Sequence, residues 1–327
     1  MVIPHAAIGP VLPGPIMPTI TPTVFDASSS RPDLGSETDS STGTSFLKLA
    51  LPKGRMQDEV DRLMSDAGLE VNADRRGYRP TIRGFDGIEA KRLKPQAIVS
   101  MLGAGIRDLG FAGADWVEEL DLQDDLLELL DTGLDPVRIV AAAPDEIRIE
   151  PGATVRIASE MPAIAAEWAR RQGLDFTLVR SWGATEVLPP EDADVVVDLV
   201  QSGATLVANG LRIVDVIARS STRLYASKAA AACPERRVVI DRIVDLIASV
   251  LEARSRYLID FNVPSDRLED VLKILPCMRR PTVASLASEG FAVRSAVPRK
   301  DFPRLVDAIR SAGGTDLVVG EARQVFP

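Results

Sequence analysis

Apolar positions recur with two alternating periods along most of this chain. A run over 46–51 reads as a strand, and behind it Met56, Val60, Leu63, Met64 and Ala67 fall at helical spacing. A strand is predicted over 88–93, then a helix opened by Pro95 in which Ile98, Met101 and Leu102 share a face. A buried strand ending in small residues follows over 108–116. Further strands are predicted over 137–142, 155–158, 176–179, 194–198 and 212–218, with a helix over 162–172 turning Ile164, Ala165 and Trp168 inward. Residues 223–226 read as the end of a connection running back to the first unit. Strand and helix taking turns predicts an α/β fold with mostly parallel sheets.

From Pro234 the pattern changes. A long helix carries Val239, Ile243, Val244, Ile247, Val250 and Leu251 as an apolar stripe. Strand 257–263, helix 265–275, strands 282–286 and 291–297, helix 301–312 and strand 316–319 then spell β-α-β-β-α-β. That order is the ferredoxin-like plan, a small domain suited to binding or assembly.

The first 45 residues carry seven prolines and a Ser/Thr-rich end, too little to build a core, and are expected to be a disordered tail. The remainder of the 327 residues suits two or three domains. A formal net charge of -9 argues against a nucleic-acid or anionic-membrane surface, so a bound phosphate must be held by local geometry. Cys233 and Cys277 show no metal or redox spacing and read as free thiols of a reducing cytosol; no segment reads as a membrane span or secretory signal. The one histidine, His5, lies in the tail, which removes histidine acid–base chemistry from the folded part.

The chemistry concentrates where Val195, Val196 and Val197 lead through Asp198 to Ser202-Gly203-Ala204-Thr205. A strand delivering small residues onto a helix start points several N–H groups at one spot, which suits a phosphate; a tight strand-to-helix turn gives the same pattern. Asp198, acceptor-only when ionised, suits sugar hydroxyls instead. Lys53-Gly54-Arg55 at the first helix start is either a second anion site or a solvated basic turn. Gly113 and Asp115 lie at the C-terminal end of their strand, where α/β sheets place ligands, although a turn glycine and an N-cap explain them too.

Asp198 to Leu211, read as DLVQSGATLVANGL, resembles the phosphoribosyl-binding signature of the ATP phosphoribosyltransferase family; LALPKGR at 49–55, the 108–115 strand and turn, and the C-terminal β-α-β-β-α-β unit resemble its long form. The resemblance covers 46–327. It implies transfer of phosphoribosyl from phosphoribosyl pyrophosphate to N1 of ATP with Mg2+, the first step of histidine biosynthesis, in the cytoplasm. Two periplasmic-binding-protein-like α/β lobes are implied, over 46–139 with 219–234 and over 140–218, together with a ferredoxin-like regulatory domain over 235–327 that binds histidine as inhibitor. A homo-hexamer built from dimers is implied as well. Carried over by position, Asp198, Ser202, Gly203, Ala204 and Thr205 hold phosphoribosyl pyrophosphate, and Lys53, Gly54, Arg55, Lys94 and Asp115 face the nucleotide. Asp198, Lys53 and Arg55 act in catalysis, Asp260 and Thr282 contact histidine, and no residue is assigned to the metal. Two other readings remain open at this point: a related phosphoribosyltransferase with another acceptor, and a two-lobed small-molecule binding protein without catalysis.

Overall fold

The computed structural model describes residues 47–72, 77–276, 278 and 280–326; the expected tail, His5 and Cys277 lie outside them. In chain order the elements are β1 (Leu47–Pro52), α1 (Gln57–Asp66), β2 (Glu70–Asn72), β3 (Thr81–Arg83), β4 (Ile88–Leu93), α2 (Pro95–Gly103), β5 (Leu109–Gly113), α3 (Ala114–Glu119) and β6 (Leu126–Pro144). They continue with β7 (Thr154–Ser159), α4 (Pro162–Arg171), β8 (Asp175–Arg180), β9 (Val195–Val200), α5 (Ala204–Ala208), β10 (Leu211–Ser227), α6 (Lys228–Ala232) and α7 (Pro234–Arg254). The last are β11 (Arg256–Val263), α8 (Leu268–Ile274), β12 (Thr282–Ser285), β13 (Phe291–Pro298), α9 (Phe302–Ser311) and β14 (Thr315–Gly320).

One sheet in the order β4-β1-β5-β10-β6-β9-β7-β8 runs through both lobes. Its outer strands are parallel, as expected, but β5/β10, β10/β6 and β6/β9 are antiparallel, so the sheet is mixed rather than mostly parallel. The difference arises from β6 and β10, 19 and 17 residues long, which pair side by side from one lobe into the other. Sequence patterning predicts only 137–142 of β6 and, within β10, a strand over 212–218 with 223–226 as a separate connection. Gly133 and Asp135 take positive φ in front of Pro136, and β10 slips register between Ser220 and Thr222. The bulges at 131–135 and 220–223 bend both crossing strands where the lobes meet. They also turn Asp135 and Ser220 toward the cleft.

Each face of the sheet buries its own core. Leu47, Leu49, Leu51 and Phe111 pack under α1 and α7, whose Ile240, Ile243, Ile247 and Val250 join that cluster, so α7 is held by the first lobe. At roughly 1.5–3 kcal/mol for each large apolar side chain buried, those four anchor it firmly. On the opposite face Ile98, Leu102, Ile139, Ile157 and Trp168 form a core shared by α2 and α4. A carboxylate fastens the lobes near this core: Glu119, ending α3, accepts the free N–H groups of Ala163 and Ile164 in the first turn of α4 at 3.0 Å. The C-terminal sheet, β12-β13-β11-β14, is antiparallel in the ferredoxin-like order and closes a separate core around Ile259, Phe261, Val293 and Ile309.

Candidate active site

The strand β9 is buried at Val195, Val196 and Val197 and emerges at Asp198, whose Oδ1 accepts the Leu199 N–H at 2.7 Å. The chain turns at buried Gly203 with φ +86°, a conformation that favours glycine. Ser202 Oγ accepts the Ala204 N–H at 3.2 Å and α5 starts there, leaving Ser202, Ala204 and Thr205 exposed. From β6, the Arg138 guanidinium reaches within 3.9 Å of where a Gly203 Cβ would sit, and it has no ion-pair partner among the described residues. A cation missed by sequence reading thus faces the loop; its only local signal was a polar position in a strand.

Across the cleft, Lys53, Arg55, Lys94 and Asp115 converge on one cavity of about 280 Å³, with Asp135, Glu160, Leu199 and Ser220. Sequence reading had singled out the first four from three separate segments. Gly54, with φ +85°, makes the turn that directs Lys53 and Arg55 inward, and the Lys53 ammonium lies 5.0 Å from the Tyr78 ring centre. Arg55 is fixed by buried Asp135 at 3.2 Å. Asp115 lies within the first turn of α3 and is not its N-cap, which is Gly113. Its amide donates to Ser220 Oγ at 3.1 Å, and that hydroxyl donates to its carboxylate. A Cβ at Gly113 would fall 2.0 Å from Asp115 Oδ1, so this glycine is required by close approach rather than by its φ.

Electrostatics set the two acids apart. Burial raises Asp115 above the usual carboxylate range, against the hydrogen bond from Ser220 and the charge of Arg55. Burial also pushes Asp198 up to about 6, helped by Glu186 and Glu160 and opposed by the Leu199 N–H and Arg55. Ser202 to Thr205 do not line this cavity; the second lobe contributes Glu160 and Leu199 to it, the latter next to Asp198. No three acidic, Cys or His side chains among the described residues are grouped to hold a metal ion.

Asp260 and Thr282 lie in the C-terminal sheet, on β11 and β12, the two strands that flank β13. Both stand opposite Arg294 in register, and Arg294 Nε donates to Asp260 Oδ2 at 2.9 Å. A larger hollow of about 450 Å³, bordered by Arg148, Trp168, Arg212 and Asp215, contains none of the expected site residues.

Residues 94–249 match the family model described as ATP phosphoribosyltransferase, and 253–323 match the one described as HisG, C-terminal domain. The ATP phosphoribosyltransferase of Pelotomaculum thermopropionicum is 31% identical over 290 residues, covering 86% of this chain and 99% of that protein. This chain belongs to the ATP phosphoribosyltransferase family. The ATP phosphoribosyltransferase of Chlorobium phaeobacteroides is 33% identical over 276 residues, 82% of this chain and 93% of its own length. The match to the second model makes the chain a long-form member, and with it a pentosyltransferase. Among solved structures, an ATP phosphoribosyl transferase (HisG:HisZ) complex from Thermotoga maritima shares the fold at a TM-score of 0.54 and 24% identity. That likeness covers 62% of this chain and 99% of the other. No helix of the described residues is long and apolar enough to cross a membrane.

Proposed function

We propose that this ATP phosphoribosyltransferase joins N1 of ATP to the anomeric carbon of phosphoribosyl pyrophosphate, releasing pyrophosphate, as the first step of histidine biosynthesis in the cytoplasm. One observation carries the reading: Asp198 adjoins Leu199 in the wall of the cleft that gathers Lys53, Arg55 and Lys94 and feels the charge of Arg55, and the open amide loop Ser202 to Thr205 follows it, tied to the cleft through Gln201 and Asp135. Amides with Arg138 suit the 5-phosphate, and Asp198 suits the ribose hydroxyls.

The reaction needs no enzyme nucleophile. The N1–C1 bond forms as the C1–O bond breaks, and the electron pair leaves with pyrophosphate, so the protein supplies position and charge. Lys53 and Arg55 stabilise phosphate charge, and Asp135 keeps the Arg55 fork aimed into the cavity. Asp115, buried and hydrogen-bonded, shapes the nucleotide side. Magnesium fits as an ion brought in on the pyrophosphate, since Glu160 and Glu186, whose charges Asp198 feels, form no metal-holding group with it among the described residues. When bound it neutralises the leaving charge.

The domain limits inferred from sequence enter the same proposal, with α7 counted to the first lobe. The C-terminal domain takes histidine as feedback inhibitor at Asp260 and Thr282, and the assembly is a homo-hexamer built from dimers. Incubation with ATP, phosphoribosyl pyrophosphate and Mg2+ tests the activity. Phosphoribosyl-ATP and pyrophosphate should form in equal amounts; their absence, or transfer to another acceptor only, would overturn the proposal.

A further inference from the structure

Trp182 stands 84% exposed at the tip of the loop that follows β8. A large aromatic left in water is unusual in a folded chain. Floppiness does not explain it, because the loop is tied down at both ends. Ser181 and Thr185 hydroxyls bond at 2.8 Å in a buried position, and the Ser181 amide donates to the Ser159 carbonyl at 3.1 Å. Between them Gly183 (φ 117°) and Ala184 (φ 50°) hold the left-handed turn that lifts the indole outward. The Arg180 guanidinium backs one side of the ring, 4.7 Å from its centre.

The indole borders a cavity of about 250 Å³ whose other side is Trp116, Leu120 and Lys94 of the first lobe. This hollow shares Lys94, Trp116 and Glu160 with the cavity that holds Arg55 and Asp115, so the two form one cleft with a cationic end and an aromatic end. Glu160 lies at the junction. Its Oε1 is 3.8 Å from where a Gly183 Cβ would be, and its carboxylate has no hydrogen bond or ion pair among the described residues. Its charge is also felt by Asp198. An acceptor-only group between a planar aromatic wall and the sugar-facing acid suits a planar ligand with an exocyclic amine pointed toward the sugar.

We propose that Trp182 and Glu160 form the seat of the acceptor purine, the indole stacking on the ring and the carboxylate accepting its 6-amino group. The assignment rests on the functional reading above and adds to it the source of base selectivity. N1 adjoins the 6-amino group, so holding that amine at Glu160 presents the N1 lone pair toward the sugar beside Asp198. A 6-oxopurine offers an acceptor at the same place and is repelled.

Calorimetric binding of ATP, inosine triphosphate and phosphoribosyl pyrophosphate tests this, together with quenching of tryptophan emission by ATP. Trp182→Ala should weaken ATP roughly 10- to 100-fold and leave phosphoribosyl pyrophosphate within about twofold, while Trp182→Phe keeps ATP binding but loses most of the quench. Glu160→Gln should cut the preference for ATP over inosine triphosphate at least about tenfold, which a purely electrostatic effect on Asp198 would not move. Unchanged ATP affinity in Trp182→Ala, or an unchanged preference in Glu160→Gln, overturns the assignment. A wild-type enzyme that binds ATP at Trp182 yet makes no phosphoribosyl-ATP would instead overturn the functional reading alone.

Discussion

Asp135 accepts a hydrogen bond from Gln201 Nε2 at 2.8 Å, tying the bulge of β6 to the loop that leaves β9. The same carboxylate pairs with Arg55 at 3.2 Å, and its own amide donates to Glu59 at 3.0 Å. A single buried acid thus sets the distance between the first-lobe cations and the second-lobe loop. Its φ of 49° is one that Asp and Asn adopt more readily than other side chains.

Asp135→Asn keeps that backbone and an acceptor for Gln201 but releases Arg55. The expected result is a melting temperature within a few degrees of wild type and a kcat/KM lower by about 10- to 100-fold, the cost of losing one aimed charge. Thermal melts alongside steady-state kinetics check it; an unaltered kcat/KM would mean that Arg55 needs no anchor.

Asp198 sets the pH dependence. Its folded pKa of about 6 lies above the ordinary 3.8, so between these values the folded state holds more proton than the unfolded one. Stability from this group is therefore complete below the lower value and is lost as pH rises through about 6, while the ionised form that accepts sugar hydroxyls appears over the same interval. Binding of phosphoribosyl pyrophosphate should weaken as pH falls below about 6, and Asp198→Asn should flatten the part of the slope that is not the ligand's own phosphate titration. In melts, Asp198→Asn should be more stable than wild type at pH 8, with the advantage gone near pH 4; the opposite ordering would refute the burial argument.

Gly113→Ala drives a methyl into the Asp115 carboxylate, 2.0 Å from Oδ1 before relaxation. Affinity for ATP should fall about tenfold or more while that for phosphoribosyl pyrophosphate holds, because the displaced acid lines the cavity assigned to the nucleotide and not the 202–205 loop. Calorimetry with each substrate separates the two.

In the C-terminal domain Asp260 is held by Arg294. An amino acid's ammonium and carboxylate can replace the two partners of that pair. Asp260→Ala should relieve histidine inhibition with basal activity retained, read as a rise in the half-inhibitory concentration of about tenfold or more. Inhibition at wild-type concentrations would move the effector elsewhere.

Local signals were legible in the sequence. The strand-to-helix turn at Asp198 to Thr205, the basic turn at Lys53 to Arg55 and the alternating elements around them depend on neighbours a few residues apart. The long strands were not legible, because Gly133, Asp135 and Pro136 inside β6 are the residues that ordinarily end a strand, and only pairing with β10 carries the chain through them. Arg138 and Glu160 gave no pattern, since what distinguishes them is a loop or cavity brought opposite by distant segments. Arg294 as partner of Asp260 needed the β11/β13 register.

The claim that the 202–205 loop holds the sugar donor while the cleft lined by Arg55, Asp115 and Glu160 holds the nucleotide is tested most directly by Thr205→Val, with dissociation constants measured for both substrates. The account predicts that phosphoribosyl pyrophosphate weakens about tenfold or more and ATP changes by less than about twofold. Equal losses for the two, or a loss confined to ATP, would contradict it.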